Sequence, residues 1–133
     1  MKEVYDYLKR VGDYYLATVD AEGKPRVRPF GTIDLFEGKL YFQTGASKDV
    51  SKQMKANPSI EICAFDKESG SWIRLAGKAC VDDNRAARVH MLEEYPMLKT
   101  MYSPDDGNTE VFYITDATAV IASFTEEPKT IKF

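Results

Sequence analysis

One stretch, Tyr41 to Pro58, limits the fold more than any other. It runs from strand to helix with only a small-residue break between them. Leu40-Tyr41-Phe42-Gln43 has the apolar and aromatic content of a strand. Thr44-Gly45-Ala46-Ser47 interrupts it. Ser47 is the expected N-cap of the following helix, and Asp49 lies in its first turn, where a negative charge suits the helix dipole. Val50 and Met54, four residues apart, face inward. Asn57-Pro58 ends the helix, because a residue before proline avoids the α region. The helix start leaves free backbone N–H groups beside the hydroxyls of Thr44 and Ser47 and the ammoniums of Lys48 and Lys52, a combination suited to phosphate. The same residues also make an ordinary capped helix with a solvated lysine face, and no P-loop signature is present.

The rest of the chain is strand-rich. Residues 1–11 form an amphipathic helix with Val4, Tyr5, Leu8 and Val11 on one side, ended by Gly12. Tyr14 to Asp20 is strand-like, and Ala21 to Pro25 is turn material. Arg26 to Phe36 alternates as one strand, with Pro29 marking an edge or bulge and Gly31 permitting close approach to the backbone. Glu37-Gly38 makes a tight hairpin. Ile60–Asp66 and Ser71–Val81 are strands. In the second of these, Trp72, Arg74, Ala76 and Lys78 share a face. Asp83 or Asn84 caps a helix running to Tyr95, closed by Pro96. A turn at Met97–Tyr102 and a polar loop at Ser103–Asn108 follow. Glu110–Phe124 is β-rich with a bend near Asp116-Ala117, and Thr130–Phe133 is a last edge strand. Six or seven strands with two or three short helices fit a mainly β, α+β fold: an antiparallel barrel with peripheral helices, in one domain over residues 1–133.

Charge and composition exclude several classes of function. A net charge of −3 argues against a nucleic-acid partner. No apolar run is long enough for a membrane span, and the charged start does not read as a signal peptide, so a cytoplasmic protein is expected. Cys63 and Cys80 are expected as reduced, packed thiols. The single histidine, His90, lies in a helix without a ligand cluster, so no metal site is expected. Asp105-Asp106-Gly107-Asn108 lacks calcium-loop spacing. There is no nucleophile elbow and no dinucleotide fingerprint. No catalytic residue is identified, so any chemistry is assigned to a bound cofactor.

An ordered series of short motifs suggests a family. It begins with Leu16-Ala17-Thr18-Val19-Asp20-Ala21-Glu22-Gly23-Lys24-Pro25, then Arg28-Pro29-Phe30, then Leu40-Tyr41-Phe42-Gln43-Thr44-Gly45. Ser47-Lys48, Gln53-Met54, Asn57-Pro58 and Trp72-Ile73-Arg74-Leu75-Ala76-Gly77-Lys78-Ala79 complete it. Over nearly its whole length the chain resembles the pyridoxamine 5′-phosphate oxidase-like, FMN-binding split-barrel family. The resemblance implies a split β-barrel and a homodimer holding FMN in two grooves between its subunits, with a small-molecule substrate. Carried over by position, Arg26, Val27, Arg28 and Pro29 would line the flavin. Phe42, Gln43 and Thr44 would follow the ribityl chain and ring. Ser47 and Lys48 would hold the phosphate, with Lys52 or Gln53 closing the site. Trp72 and Arg74 would come from the partner subunit. Arg28, then Arg26, is the candidate charge beside the pyrimidine edge of the ring. Family members that oxidise pyridoxamine phosphate carry a C-terminal stretch with arginine and histidine, whereas Phe124–Phe133 has neither. That activity is therefore not expected. Some relatives bind the deazaflavin F420, the alternative cofactor here. Others act on haem, which nothing in this sequence selects. A non-enzymatic flavin-binding or sensing dimer is the other functional alternative.

Overall fold

The computed structural model describes residues 1–133. Helix α1 (Lys2–Val11) is followed by strands β1 (Tyr14–Val19), β2 (Pro25–Phe30), β3 (Asp34–Phe36) and β4 (Lys39–Gly45). Helix α2 (Asp49–Ala56) leads to β5 (Ser59–Asp66) and β6 (Ser71–Asp82). Helix α3 (Arg85–Glu94) and a 3₁₀ turn (Pro96–Thr100) precede β7 (Thr109–Ala122) and β8 (Lys129–Lys132). All strand pairs are antiparallel. The sheet order is β2-β1-β5-β6-β7-β4-β3, with β8 on β7. This is the mainly β, split-barrel architecture expected from the sequence. No helix is long and apolar enough to cross a membrane.

The eighth strand arises because Arg26–Phe36 is not continuous. Gly31-Thr32-Ile33 leaves the ladder, so β2 ends one side of the sheet and β3 the other. Pro29 therefore sits on an edge strand, where its missing N–H costs no ladder bond. The Glu37-Gly38 hairpin forms with both residues at positive φ (49° and 77°), as a twist-matched two-residue turn requires. Gly12 ends α1 at φ 91°. Asp116 adopts φ 49° beside a register shift between Ala76 and Lys78, which bends β7 where a bend was expected. Gly77 belongs to the same irregularity. A Cβ there would stand 3.0 Å from Ile114 Cγ2 and from the Thr115 carbonyl oxygen.

One apolar cluster fills the barrel, including Leu16, Leu40, Phe42, Ile62, Ile73, Leu75 and Phe112. Burying such side chains is the dominant favourable contribution to folding. Phe30 from β2 meets Phe42 from β4 edge-to-face at 5.5 Å, and Phe42 stacks on Phe112 at 5.8 Å. The seam between the two ends of the sheet is thus closed by aromatic packing rather than by backbone pairing. A smaller cluster, Tyr41, Ala87, Met91 and Val111, seats α3 on the outside. Both cysteines are free thiols. Cys63 is exposed on the outer side of β5 and not packed as expected, because Ile62 and Ala64 take the inward positions.

Candidate functional site

Along the seam, β2, the Gly31–Ile33 link, β4 and the start of α2 leave an open groove of about 320 Å³. Arg28, Pro29, Gln43, Thr44 and Lys48 line it together with Phe30, Thr32, Val50, Leu98, Met101 and Tyr102. The hollow of about 400 Å³ beside α3 is larger, but Asp82, Asp83, Asp105 and Glu110 surround it. An anionic ligand is repelled there and attracted to the seam.

Arg28 is held by a small network inherited from β1 and α2. Its Nη1 donates to Thr18 Oγ1 at 2.8 Å and to the Leu16 carbonyl at 3.2 Å. Its Nη2 donates to Gln53 Oε1 at 2.9 Å, and Thr18 Oγ1 donates to the same oxygen at 2.6 Å. Burial pulls the guanidinium pKa below its usual value, and the Asp49 charge pushes back. It stays charged at any working pH.

Gln43 and Thr44 come from the part of β4 that runs on past its pairing with β3. The Gln43 N–H donates to Thr32 Oγ1 at 3.0 Å, and Gln43 Nε2 donates to the Thr44 carbonyl at 3.0 Å. Thr44 Oγ1 is buried with no hydrogen-bond partner, the one side-chain polar atom in the protein so placed. Such an orphan costs free energy that a bound acceptor or donor would recover.

The turn into α2 differs by one residue from expectation. Lys48, not Ser47, is the N-cap, and it supplies no side-chain cap bond. Ser47 is exposed, and its N–H donates to Asn108 Oδ1 at 3.0 Å. The first backbone bond of the helix runs from Lys52 N–H to the Lys48 carbonyl at 3.4 Å. The N–H groups of Asp49, Val50 and Ser51 therefore point out of the helix start without an intrahelical acceptor. Lys55 pairs with Glu110, whereas Lys48 and Lys52 have no carboxylate partner.

Other anticipated residues lie elsewhere. The Phe42 ring is fully buried in the core beneath Phe30 and does not line the groove. Arg26 shares a strand face with Arg28 but is drawn to the β1–β2 turn, its Nε donating to Asp20 Oδ2 at 3.0 Å. Val27 is 67% exposed on the outer sheet face. Lys52 and Gln53 border a neighbouring depression with Asp20, Glu22 and Asp49. Trp72 and Arg74 project from the outside of β6. Trp72 packs on Phe124 at 5.2 Å, and Arg74 lies 3.7 Å from Glu61.

Leu98, Met101 and Tyr102 form a wall that the sequence reading missed. Their i, i+3, i+4 spacing was the available signal. Tyr102 also explains Gly45, since a Cβ there would stand 3.1 Å from the tyrosine ring and 3.0 Å from Asn108 Nδ2.

Comparison with known proteins bears on this site. The pyridoxamine 5′-phosphate oxidase family description matches residues 2–128. A NimC/NimA family protein from Clostridium acetobutylicum is 44% identical, with a TM-score of 0.94 over 100% of this chain and 92% of that one. A pyridoxamine 5′-phosphate oxidase-related, FMN-binding protein from Nostoc punctiforme shares the fold at 17% identity. Its TM-score is 0.71 over 99% of this chain and 95% of its own. A heme-binding protein from Mycobacterium smegmatis does so at 18% identity and a TM-score of 0.70, over 92% of this chain and 53% of its own. No curated protein matches the chain.

Proposed function

Because the chain belongs to the pyridoxamine 5′-phosphate oxidase family, we propose that its seam groove binds FMN and that the protein is a flavin-dependent oxidoreductase acting on a small molecule. The observation that carries this reading is the orphaned Thr44 hydroxyl, buried beside Lys48 and the open first turn of α2. Hydroxyl, ammonium and free N–H groups are what a phosphate-bearing tail requires. The apolar stretch of the groove, Phe30, Val50, Leu98 and Met101, suits a planar ring with few polar contacts. The residues present fit the group.

Within that reading each side chain has a plain task. Lys48 neutralises phosphate charge, and the Thr44 hydroxyl anchors the tail. Arg28, fixed by Thr18 and Gln53, holds positive charge at one end of the slot. Gln43 and Thr32 set the β4 edge. Leu98, Met101 and Tyr102 keep water from the open side. When bound, the flavin supplies the redox chemistry. No carboxylate or histidine lines the groove, which is why no protein acid or base is assigned. That same absence favours one second reading, a flavin-binding module without turnover.

FMN and riboflavin titrations of wild type and Lys48→Ala test the proposal. Lys48→Ala is expected to weaken FMN by about 10- to 100-fold, the worth of one charge-assisted hydrogen bond, while leaving riboflavin within a factor of about two. Equal losses remove Lys48 from the phosphate role, and absence of FMN binding to wild type ends the reading. F420 in the same titration separates the two cofactors. Anaerobic bleaching of the bound flavin by NADH or NADPH, with turnover on an acceptor, eliminates the non-enzymatic alternative.

A further inference from the structure

The sequence offers one histidine and no ligand spacing around it, because the residue that completes a cluster lies 56 positions away. Folding brings β3 under α3. There Asp34, His90 and Glu94 place one ligand atom each within 4.8 Å of one another. We propose that these three side chains form a site for a borderline divalent metal ion such as zinc, separate from the seam groove.

The arrangement has features of a ligand set. His90 and Glu94 stand four apart on α3, so they share a helix face, and Asp34 faces them from the strand below. His90 Nε2 lies 2.8 Å from Asp34 Oδ2. A tetrahedral site with bonds of about 2.0–2.1 Å needs ligand atoms roughly 3.3 Å apart. Asp34 and His90 need separate by only a few tenths of an ångström, and the exposed Glu94 swings in to close the third edge. The Asp34 carboxylate is 8% exposed, anchored by the Leu35 N–H to its Oδ1 at 2.9 Å and met by the Tyr5 hydroxyl; the ion would take the place of the proton now shared between Oδ2 and His90 Nε2. The His90 ring stacks on Phe36 at 4.6 Å, so its orientation is set before any ion arrives.

The charge balance also favours a cation. Two carboxylates and a neutral imidazole offset a divalent ion. Glu94 is the last residue of α3, and the final turn of that helix has no basic side chain to neutralise its carbonyl end. Lys9, close enough to feel the Asp34 charge, is engaged with the Tyr95 hydroxyl at 2.9 Å. One imidazole with two oxygen ligands suits zinc, cobalt or nickel rather than calcium or magnesium, which take oxygen alone. An ion there would fasten α3 to β3 across two distant parts of the chain.

Cobalt(II) and zinc titrations of untagged, chelator-treated protein test this. The expected result is a single equivalent bound, a visible cobalt d–d spectrum, and a zinc-dependent rise of several degrees in Tm. His90→Ala and Glu94→Gln should each weaken binding at least tenfold. Glu94→Gln changes an exposed side chain, so it reports on binding even if His90→Ala perturbs folding. A flat cobalt spectrum with an unmoved Tm overturns the site and leaves Asp34–His90 a simple hydrogen-bonded contact. Undiminished binding in both variants overturns it too, placing the ion elsewhere, for instance on the exposed Cys63.

Discussion

Thr44 is the residue whose behaviour distinguishes a binding site from a packing defect. Its hydroxyl is buried without a partner. Thr44→Val removes the orphan at nearly constant shape. Without ligand, the variant is expected to gain about 1 kcal/mol of stability, since burying an unpaired polar group is costly. With FMN present it should bind more weakly. Opposite signs in denaturation and in flavin titration identify a hydroxyl retained for a ligand; a loss in both measurements assigns it a structural role. Arg28 contrasts with it, because all its visible contacts are already made within the chain. It is a preset charge, whereas Thr44 is an unmet need. Residue chemistry of this kind was legible in part. Arg28, Gln43, Thr44 and Lys48 could be named from motif order. Asp20-paired Arg26 and core-bound Phe42 could not be told from them, because alternation puts Arg26 on the same face as Arg28 and says nothing of the partner a side chain takes or the depth at which it ends.

At the scale of elements, the turn into α2 depends on a loop that sequence alone showed only as polar. Asp106 accepts from the N–H groups of Ser103, Asn108 and Thr109 and from the Thr109 hydroxyl at 2.7–3.0 Å. Asn108 in turn accepts from Ala46 and Ser47, just before α2. Burial raises the Asp106 carboxyl, but those hydrogen bonds outweigh it and hold the group well below its usual 3.8. A depressed carboxyl stabilises the fold fully above its unfolded value, and that contribution is lost as pH falls below about 4. Wild type should therefore lose more stability between pH 5 and the acid limit than Asp106→Asn does, as read by denaturant melts across that window. Parallel pH profiles would remove Asp106 from this role. The elements themselves were largely readable: α1 with its Gly12 stop, the Glu37-Gly38 hairpin and the α2 stop at Asn57-Pro58. Arg26–Phe36 was misread as one strand, because its alternation continues through a link that tertiary closure pulls out of the ladder.

Viewed as a whole, the molecule exposes several large apolar side chains on one outer sheet face. Val27 is 67% exposed, Tyr15 55% and Phe65 53%. Strand pairing joins them in one patch, Pro29 to Tyr15 to Cys63 to Arg74, with Phe65 beside Trp72. Contiguous apolar surface of this kind marks an interface. A second copy is the partner we propose, its seam groove meeting Trp72 and Arg74 of this face. Sedimentation equilibrium is expected to give twice 15.1 kDa, and Tyr15→Glu combined with Val27→Glu should yield a monomer with weakened FMN binding. A wild-type monomer that still binds FMN tightly contradicts the pairing. One more consequence follows from the three-residue link, Gly31 to Ile33, that bridges the two banks of the groove. So short a tether fixes how far the banks can stand apart, and lengthening it would peel β3 from β4. A relative that accepts a bulkier guest is therefore expected to differ along residues 96–102, while its 31–33 crossing keeps the same span.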